Sequence, residues 1–246
     1  MFVAASTRCF AEMDFWQALD QIADLEFDRV EVWLDENGSL KPSEVTASAD
    51  EFVARLRDRT RLSPIAFTLA NEVAASEFQA LCRIASTLRV SQIVIPSSPI
   101  GTPFNMEIDR LKTLTAMASA HGIRLGLKTQ SGRLTGDAHT AVELCQAVDR
   151  LGLAFDPSYF LNPKTCDAIV EMVSPYTLHV HMRDSTQNEL QVQVGLGELD
   201  YSKLIAQLER YHYQRALSIE LLPELTAIDS RLLELRKLRM LLDSLL

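Results

Sequence analysis

The sequence is poor in cysteine, and its cysteines lie far apart. Four occur among 246 residues, and no C-x-x-C pair brings two of them together: Cys9, Cys82, Cys145 and Cys166. This spacing indicates neither a zinc knot nor a disulfide framework. We therefore interpret all four as buried thiols.

Basic residues and long apolar runs are also scarce. Lys and Arg number 24 against 33 Asp and Glu, and the formal net charge of −9 gives no general attraction to nucleic acid or anionic lipid. No segment approaches the roughly 18 apolar residues that span a bilayer, and the first ten residues lack a charged segment ahead of an apolar one. We expect a cytoplasmic protein with no nucleic-acid or membrane partner, and homo-oligomer formation stays open.

The composition and length are those of a globular α/β barrel. Hydrophobic residues make up 47% of the chain and charged residues 23%, enough to build a full core. The length matches the roughly 250 residues typical of a closed barrel, and no Pro-rich or Ser-rich linker divides the chain. We predict a single domain over residues 1–246.

Short apolar runs recur about every thirty residues, the size of a βα unit. Eight such runs predict strands: residues 2–6, 29–34, 62–67, 91–96, 123–127, 152–156, 177–182 and 216–220. Helical spacing separates them, with Ser76 and Gln79 in the form of a capping box and Pro223 suited to the first turn of the last helix. Eight alternating units predict a (β/α)8 TIM barrel.

The ends of four consecutive predicted strands carry ionisable residues. Strands five to eight end in Lys128, Asp156, His181 and Glu220. The carboxyl ends of barrel strands form the active site, and ionisable groups are costly where they lose water. These four residues are therefore the candidate site.

Several segments together resemble the xylose-isomerase-like TIM barrel superfamily of sugar phosphate isomerases, epimerases and family 2 apurinic endonucleases. The resemblance covers nearly the whole chain and rests on the order of FDRVEVW, LGLAFDP, HVHMRD, GLGELD and LSIE. It implies a divalent metal (Mn, Mg or Zn) held by Glu, Asp, His and Glu on strands five to eight. Asp156, His181 and Glu220 match the last three positions as implied metal ligands.

Two positions depart from that pattern. The segment GLKTQ offers Lys128 where the family has Glu, and Tyr159 stands where a His often follows the Asp by three residues. With Asp156, Glu220 and a protonated Lys128 the site carries a net charge of −1 without any ion, so the ammonium is a stand-in for the metal. We also expect the two carboxylates to raise the pKa of Lys128, which argues against a Schiff-base role.

Other residues at the strand ends carry alternative interpretations. The resemblance implies that Arg183 touches substrate, although Arg183 and Asp184 are also able to pair with each other. Trp33 and Glu31 on strand two are candidates for the pocket wall, with Trp33 stacking on a sugar ring or packing in the core. Tyr159 completes the substrate-binding set. An alternative interpretation of Asp156 is the Asp of a turn-initiating Asp-Pro.

Two function classes stay open. The first is a sugar or polyol isomerase or epimerase, with Glu220 as catalytic base and Lys128 as the altered catalytic position. If the Lys128 side chain swings outward to solvent, Asp156, His181 and Glu220 would still form a weak metal site. The second is a catalytically degenerate barrel that binds a small, polar, sugar-like ligand without metal. The endonuclease branch is a distant third, because its three-metal site needs many His and carboxylate ligands. Only five His are present, and three of them lie in predicted helices or at their ends: His121, His139 and His212.

Overall fold

The computed structural model describes residues 1–162 and 165–246, and within them the chain forms a closed parallel barrel. Each strand pairs with the next, and the last pairs with the first, so the predicted single-domain (β/α)8 fold is confirmed. The strands are β1 (Phe2–Ser6), β2 (Arg29–Leu34), β3 (Ser63–Leu69), β4 (Gln92–Pro96), β5 (Arg124–Lys128), β6 (Leu151–Phe155), β7 (Thr177–Met182) and β8 (Ala216–Ile219).

Helices cover the outside of the barrel between the strands. They are α1 (Phe15–Asp24), α2 (Pro42–Ala47), α3 (Ala49–Arg59), α4 (Ala75–Thr87), α5 (Phe104–Ala120), α6 (Ala138–Ala147), α7 (Cys166–Val173), α8 (Tyr201–Arg210) and α9 (Ile228–Asp243). Among the described residues, no helix has both the length and the apolar character to cross a membrane.

Two predicted helix starts were wrong. Helix α4 begins at Ala75 after Ala74, with no side-chain cap, so Ser76 and Gln79 lie inside the helix rather than forming a capping box. Pro223 begins a short 3-10 helix, and α9 starts only at Ile228. In both places an alanine precedes the helix, Ala74 or Ala227, and its side chain cannot cap the first turn.

Strand alternation divides the core into an outer apolar layer and an inner polar layer. On β7, Val180 and Met182 belong to the apolar cluster beneath the helices, whereas His179 and His181 point the other way, into the barrel. Ser218 on β8 also reaches the interior. Ionisable side chains on the inner face therefore meet one another at the barrel axis.

Gly152 on β6 shows how closely the lower barrel packs. A Cβ at this position would lie 2.2 Å from Cγ of Leu178 and 2.8 Å from the carbonyl oxygen of Tyr176. The β6–β7 register shifts immediately above, between Leu153 and Ala154. Glycine thus permits the close approach of these two strands.

Candidate functional site

The ends of β5 to β8 bring the four predicted residues together at one mouth of the barrel. Lys128 Nζ donates to Glu220 Oε1 at 2.6 Å and to Oε2 at 2.8 Å. One ligand atom from each of Asp156, His181 and Glu220 lies within 4.8 Å of the others. All four side chains are buried. Their predicted roles stay predictions, but their meeting in one place is a property of the structure.

Arg183, one residue after β7, is the second cation of this site. Its fully buried guanidinium donates through Nη2 to Asp156 Oδ2 and, at 2.9 Å, to Glu220 Oε2. The alternative pairing of Arg183 with Asp184 is wrong. Asp184 instead accepts backbone hydrogen bonds from Gly195 and Gly197, at 2.7 and 3.1 Å, and so orders the loop before α8.

Arg8 is a third cation that sequence reasoning missed. It lies in the 3-10 helix Thr7–Phe10 directly after β1, and its Nη1 donates to Glu220 Oε1 at 3.3 Å. Its side chain is 21% exposed, so it is the cation at this site that solvent reaches. The available signal was its position two residues past the end of a barrel strand. We call Arg8, Lys128, Asp156, Arg183 and Glu220 the mouth cluster.

The mouth cluster corrects the charge count made from the sequence. Two carboxylates face three cationic groups. The net charge is therefore not the −1 expected when Lys128 was the one cation counted beside Asp156 and Glu220. Burial would raise the pKa of Glu220, but Lys128 and the other cations beside it hold that pKa far below its ordinary value. The carboxylate is therefore ionised, and a poor proton acceptor, at neutral pH.

The pKa of Lys128 moves in the direction opposite to the prediction. Burial lowers it, and Arg8 and Arg183 lower it further, although Glu220 raises it. The two carboxylates are visible in the sequence, whereas the burial of Lys128 and the approach of the two guanidinium groups arise only in the folded chain. Because Nζ donates to both oxygens of Glu220, the amine is nevertheless engaged as a partner rather than free as a nucleophile.

The half-buried rings of Trp33 and Tyr159 lie beside the mouth cluster. Arg8 Cζ is 4.6 Å and Lys128 Nζ 5.1 Å from the centre of the Trp33 ring. Arg183 Cζ is 5.7 Å from the centre of the Tyr159 ring. Both rings thus pack on cations, and the roles predicted for them in substrate binding stay predictions.

Glu31 lies one layer deeper than the pocket wall that the sequence suggested. Its fully buried carboxylate accepts from Ser218 Oγ at 2.6 Å, His179 Nε2 at 2.8 Å and His181 Nε2 at 3.0 Å. Gln92 Nε2 donates to His179 Nδ1 at 2.7 Å, which assigns the Nε2–H tautomer to a neutral His179. Burial lowers the pKa of His179, which favours this neutral form. The predicted contact of Glu31 with substrate stays a prediction.

Asp156 satisfies both interpretations made from the sequence. Its Oδ1 accepts from Ser158 N at 3.1 Å and Ser158 Oγ at 2.5 Å, capping the 3-10 helix Pro157–Phe160 as an Asp-Pro turn would. Its Oδ2 accepts from Arg183 in the mouth cluster. One carboxylate therefore joins the turn to the site.

The donor set fits a divalent ion only in part. His181 donates through Nε2 to Glu31, and its buried Nδ1 has no hydrogen-bond partner among the described residues. A metal-binding histidine is likewise held by a carboxylate at its other nitrogen. The oxygens that would complete the set are engaged, however, by Lys128 and Arg183. A divalent ion would have to displace cations that already neutralise its ligands, so the site as built does not fit a metal.

Lowering the pH should reduce the free energy of unfolding of the wild type more than that of the Glu220→Gln variant. The pKa of Glu220 is lowered in the folded state, so its ionisation contributes stability above the unfolded pKa of about 4.3 and loses that contribution as the pH falls below it. The amide of the Glu220→Gln variant does not titrate. We expect the difference in unfolding free energy between the two proteins to shrink from about pH 6 to about pH 3. Guanidinium unfolding at several pH values measures it, and two parallel curves would contradict the account.

Gly197→Ala should disturb the loop that Asp184 organises. An added Cβ would lie 1.8 Å from Asp184 Oδ1 and 2.8 Å from the backbone nitrogen of Ser185. Displacing Asp184 breaks its bonds to the loop backbone, so we expect a loss of about 1–3 kcal/mol in urea unfolding. Leu196→Ala, at a side chain 70% exposed, is the matched control and should change stability by less than about 0.5 kcal/mol. Equal effects of the two substitutions would show that Asp184 does not hold the loop.

A family model described as xylose isomerase-like TIM barrel matches residues 19–238. The match spans most of the chain and includes the ends of all the strands from β2 to β8. No curated protein matches the sequence. The family resemblance inferred from the strand-end motifs is thus confirmed.

Solved structures of similar fold cover the chain almost completely at low sequence identity. A D-tagatose 3-epimerase-like protein is 16% identical, with a TM-score of 0.75 over 100% of this chain and 98% of its own. A xylose isomerase-like TIM barrel protein from Mycobacterium smegmatis, in complex with magnesium, is 15% identical, with a TM-score of 0.78 over 99% and 97%. The IOLI protein with a bound zinc atom is 14% identical, with a TM-score of 0.74 over 100% and 96%. At these identities the similarity is one of fold.

Proposed function

The chain belongs to the xylose isomerase-like TIM barrel family, and we propose that it is a metal-independent member that binds a small, polar, sugar-like ligand at the barrel mouth. Two of its structural neighbours were solved with magnesium or zinc. In this chain, the amine of Lys128 and the guanidinium of Arg183 take the place of such an ion.

The proposal rests on one observation, which is that cationic side chains already engage the carboxylate oxygens of Glu220 and Asp156. Lys128 contacts both oxygens of Glu220, and Arg183 bridges Glu220 to Asp156. These are charge-assisted hydrogen bonds between buried groups, which are stronger than neutral ones. Adding a divalent cation would place like charges a few ångströms apart, at a cost of roughly 4 kcal/mol per pair for unit charges at an effective dielectric near 20.

The solvent-facing side of the mouth cluster supplies groups that suit a polar ligand. Arg8 is partly exposed and offers charged donors, and the rings of Trp33 and Tyr159 are half-buried beside it. Beneath this side, the fully buried Arg183 keeps Nε and Nη1 without hydrogen-bond partners in the described part of the chain, and a ligand that displaced the neighbouring side chains would meet two donors there. A few polar groups placed among aromatic side chains are typical of small-molecule sites.

The proposal is tested by measuring whether the protein still binds its ligands after a chelator has removed any metal ion. The protein is incubated with EDTA, desalted, and screened by thermal shift against sugars, polyols and sugar acids, in parallel with untreated protein. We expect the same stabilising ligands in both samples and a weaker response in Arg8→Met, with Arg61→Met at an exposed position as the matched control. Stoichiometric metal in the untreated protein together with loss of every ligand response after EDTA would overturn the proposal.

A second candidate is a metal-dependent sugar isomerase or epimerase, and one specific observation favours it. His181 Nδ1 has no partner among the described residues, and one ring nitrogen of His181 lies within 4.8 Å of ligand atoms of Asp156 and Glu220. If Lys128 moved away, those three residues would hold an ion that polarises a substrate carbonyl. Metal-dependent exchange of a substrate C–H proton for solvent deuterium, abolished in His181→Gln, would establish this candidate.

A further inference from the structure

A polar cavity lies at the end of the barrel opposite the mouth cluster. It has a volume of about 370 Å³, and its wall includes Arg124, Arg150 and Arg215. Arg124 begins β5, whereas Arg150 and Arg215 immediately precede β6 and β8, respectively. The amino ends of the strands thus form this cavity, and it shares no residue with the mouth cluster.

The charges of this cavity are unbalanced. Three arginines and His212 line it, and none of the described residues in its wall is an Asp or Glu. This composition is unexpected in a chain with 33 acidic and 24 basic residues. Clustered positive charges repel one another, and a wall without carboxylates leaves that repulsion uncompensated.

As far as the described residues go, the guanidinium groups of the cavity also lack protein partners. In the described portion of the chain, none of the three forms an ion pair or a side-chain hydrogen bond. Burial lowers the pKa of Arg215, and the neighbouring Arg124 lowers it further, as expected of a cation held near another cation. By contrast, the two buried arginines of the described chain, Arg183 and Arg231, are both paired with carboxylates, whereas Arg215 is half-buried and Arg124 and Arg150 are exposed.

The rest of the cavity wall suits a small anion. Tyr176, Tyr211 and Tyr213 also line the cavity beside the arginines, and its lining surface is more polar than apolar. Its volume falls in the range of small-molecule sites, roughly 300–1,000 Å³. Arginine presents several donors in a planar fork that matches tetrahedral oxyanions.

We propose that the cavity at the amino end of the barrel binds a small phosphate-type oxyanion through Arg124, Arg150 and Arg215. The anion supplies the negative charge that the wall lacks, and several charge-assisted hydrogen bonds hold it. This site is independent of the ligand proposed for the mouth.

Inorganic phosphate is the probe, and isothermal titration calorimetry at constant ionic strength is the measurement. We expect the wild type to show one saturable site with a Kd at or below about 1 mM. The triple variant R124Q/R150Q/R215Q should lose at least about tenfold in affinity, because hydrogen bonds from charged groups are removed. R61Q/R83Q/R236Q removes the same number of charges at exposed positions and should bind within about twofold of the wild type.

Two results would overturn the proposal. One is the absence of saturable phosphate binding by the wild type up to about 10 mM. The other is equal weakening by the two triple variants, which would show attraction to total charge rather than a site. Circular dichroism and thermal melts establish that each variant is folded. The single variants R124Q and R150Q, at exposed side chains, provide the same comparison if the triple variant unfolds.

Discussion

Arg183→Met is expected to lower the free energy of unfolding by about 3–5 kcal/mol, because it leaves buried carboxylates without their shared partner. The guanidinium of Arg183 donates to both Asp156 and Glu220, and all three side chains are fully buried. Methionine fills a similar volume but donates no hydrogen bond. Lys128 and Arg8 still contact Glu220, so most of the loss should come from Asp156.

Urea unfolding of the wild type, Arg183→Met and Arg183→Lys at neutral pH measures this effect. Lysine keeps the charge but not the planar fork that reaches two carboxylates, so Arg183→Lys should fall between the other two. Arg239→Met removes an arginine paired with the exposed Glu26 and should cost less than about 1 kcal/mol. Comparable losses from Arg183→Met and Arg239→Met would show that the mouth cluster does not stabilise the fold.

The location of the site could be predicted from the sequence because parallel strands have a fixed direction. Once eight βα units are recognised, the carboxyl ends of all strands must face one mouth, so Lys128, Asp156, His181 and Glu220 must approach one another. The structure brings them together as expected. This inference needed only the order and spacing of the strands, and no side-chain geometry.

The partners within the site could not be predicted in the same way. Arg8 follows β1, which is far in sequence from Glu220 and adjacent to it only after the barrel closes between β8 and β1. Arg183 has Asp184 as its neighbour in sequence, but the backbone turn directs Asp184 to Gly195. Contacts of this kind depend on side-chain direction and loop path, and a strand pattern specifies neither.

Depth within the barrel was the other property that the sequence left open. Glu31 and Trp33 point to the same side of β2, so both were candidates for the pocket wall. Two residues along a strand correspond to roughly 6.6 Å, enough to separate a half-buried ring at the mouth from a fully buried carboxylate beneath it. The predicted rise in the pKa of Lys128 was wrong for a related reason. Burial and the nearby Arg8 and Arg183 lower this pKa by more than the carboxylate of Glu220 raises it.

Lys128→Glu is expected to convert a metal-indifferent protein into one that takes up a divalent ion. The substitution places a third carboxylate beside Asp156 and Glu220 and removes the amine that occupies both Glu220 oxygens. With only Arg8 and Arg183 left as cations, the site becomes negative and gains the family's fourth ligand. Without metal, the buried carboxylate should destabilise the fold by about 3–5 kcal/mol.

Metal should return part of this loss, since an ion that binds only the folded state stabilises it by about 2.7 kcal/mol at a hundred times its Kd. Lys128→Met is the matched control: it also removes the amine but adds no ligand, so two carboxylates remain balanced by two arginines. We expect it to be destabilised and to gain little from metal.

Thermal melts of the wild type, Lys128→Glu and Lys128→Met, each with and without manganese, test the metal-independence of this barrel most directly. We predict a manganese-dependent rise in Tm for Lys128→Glu, and no comparable rise for the wild type or Lys128→Met. A wild type that gains as much from manganese as Lys128→Glu would show that Lys128 does not replace an ion.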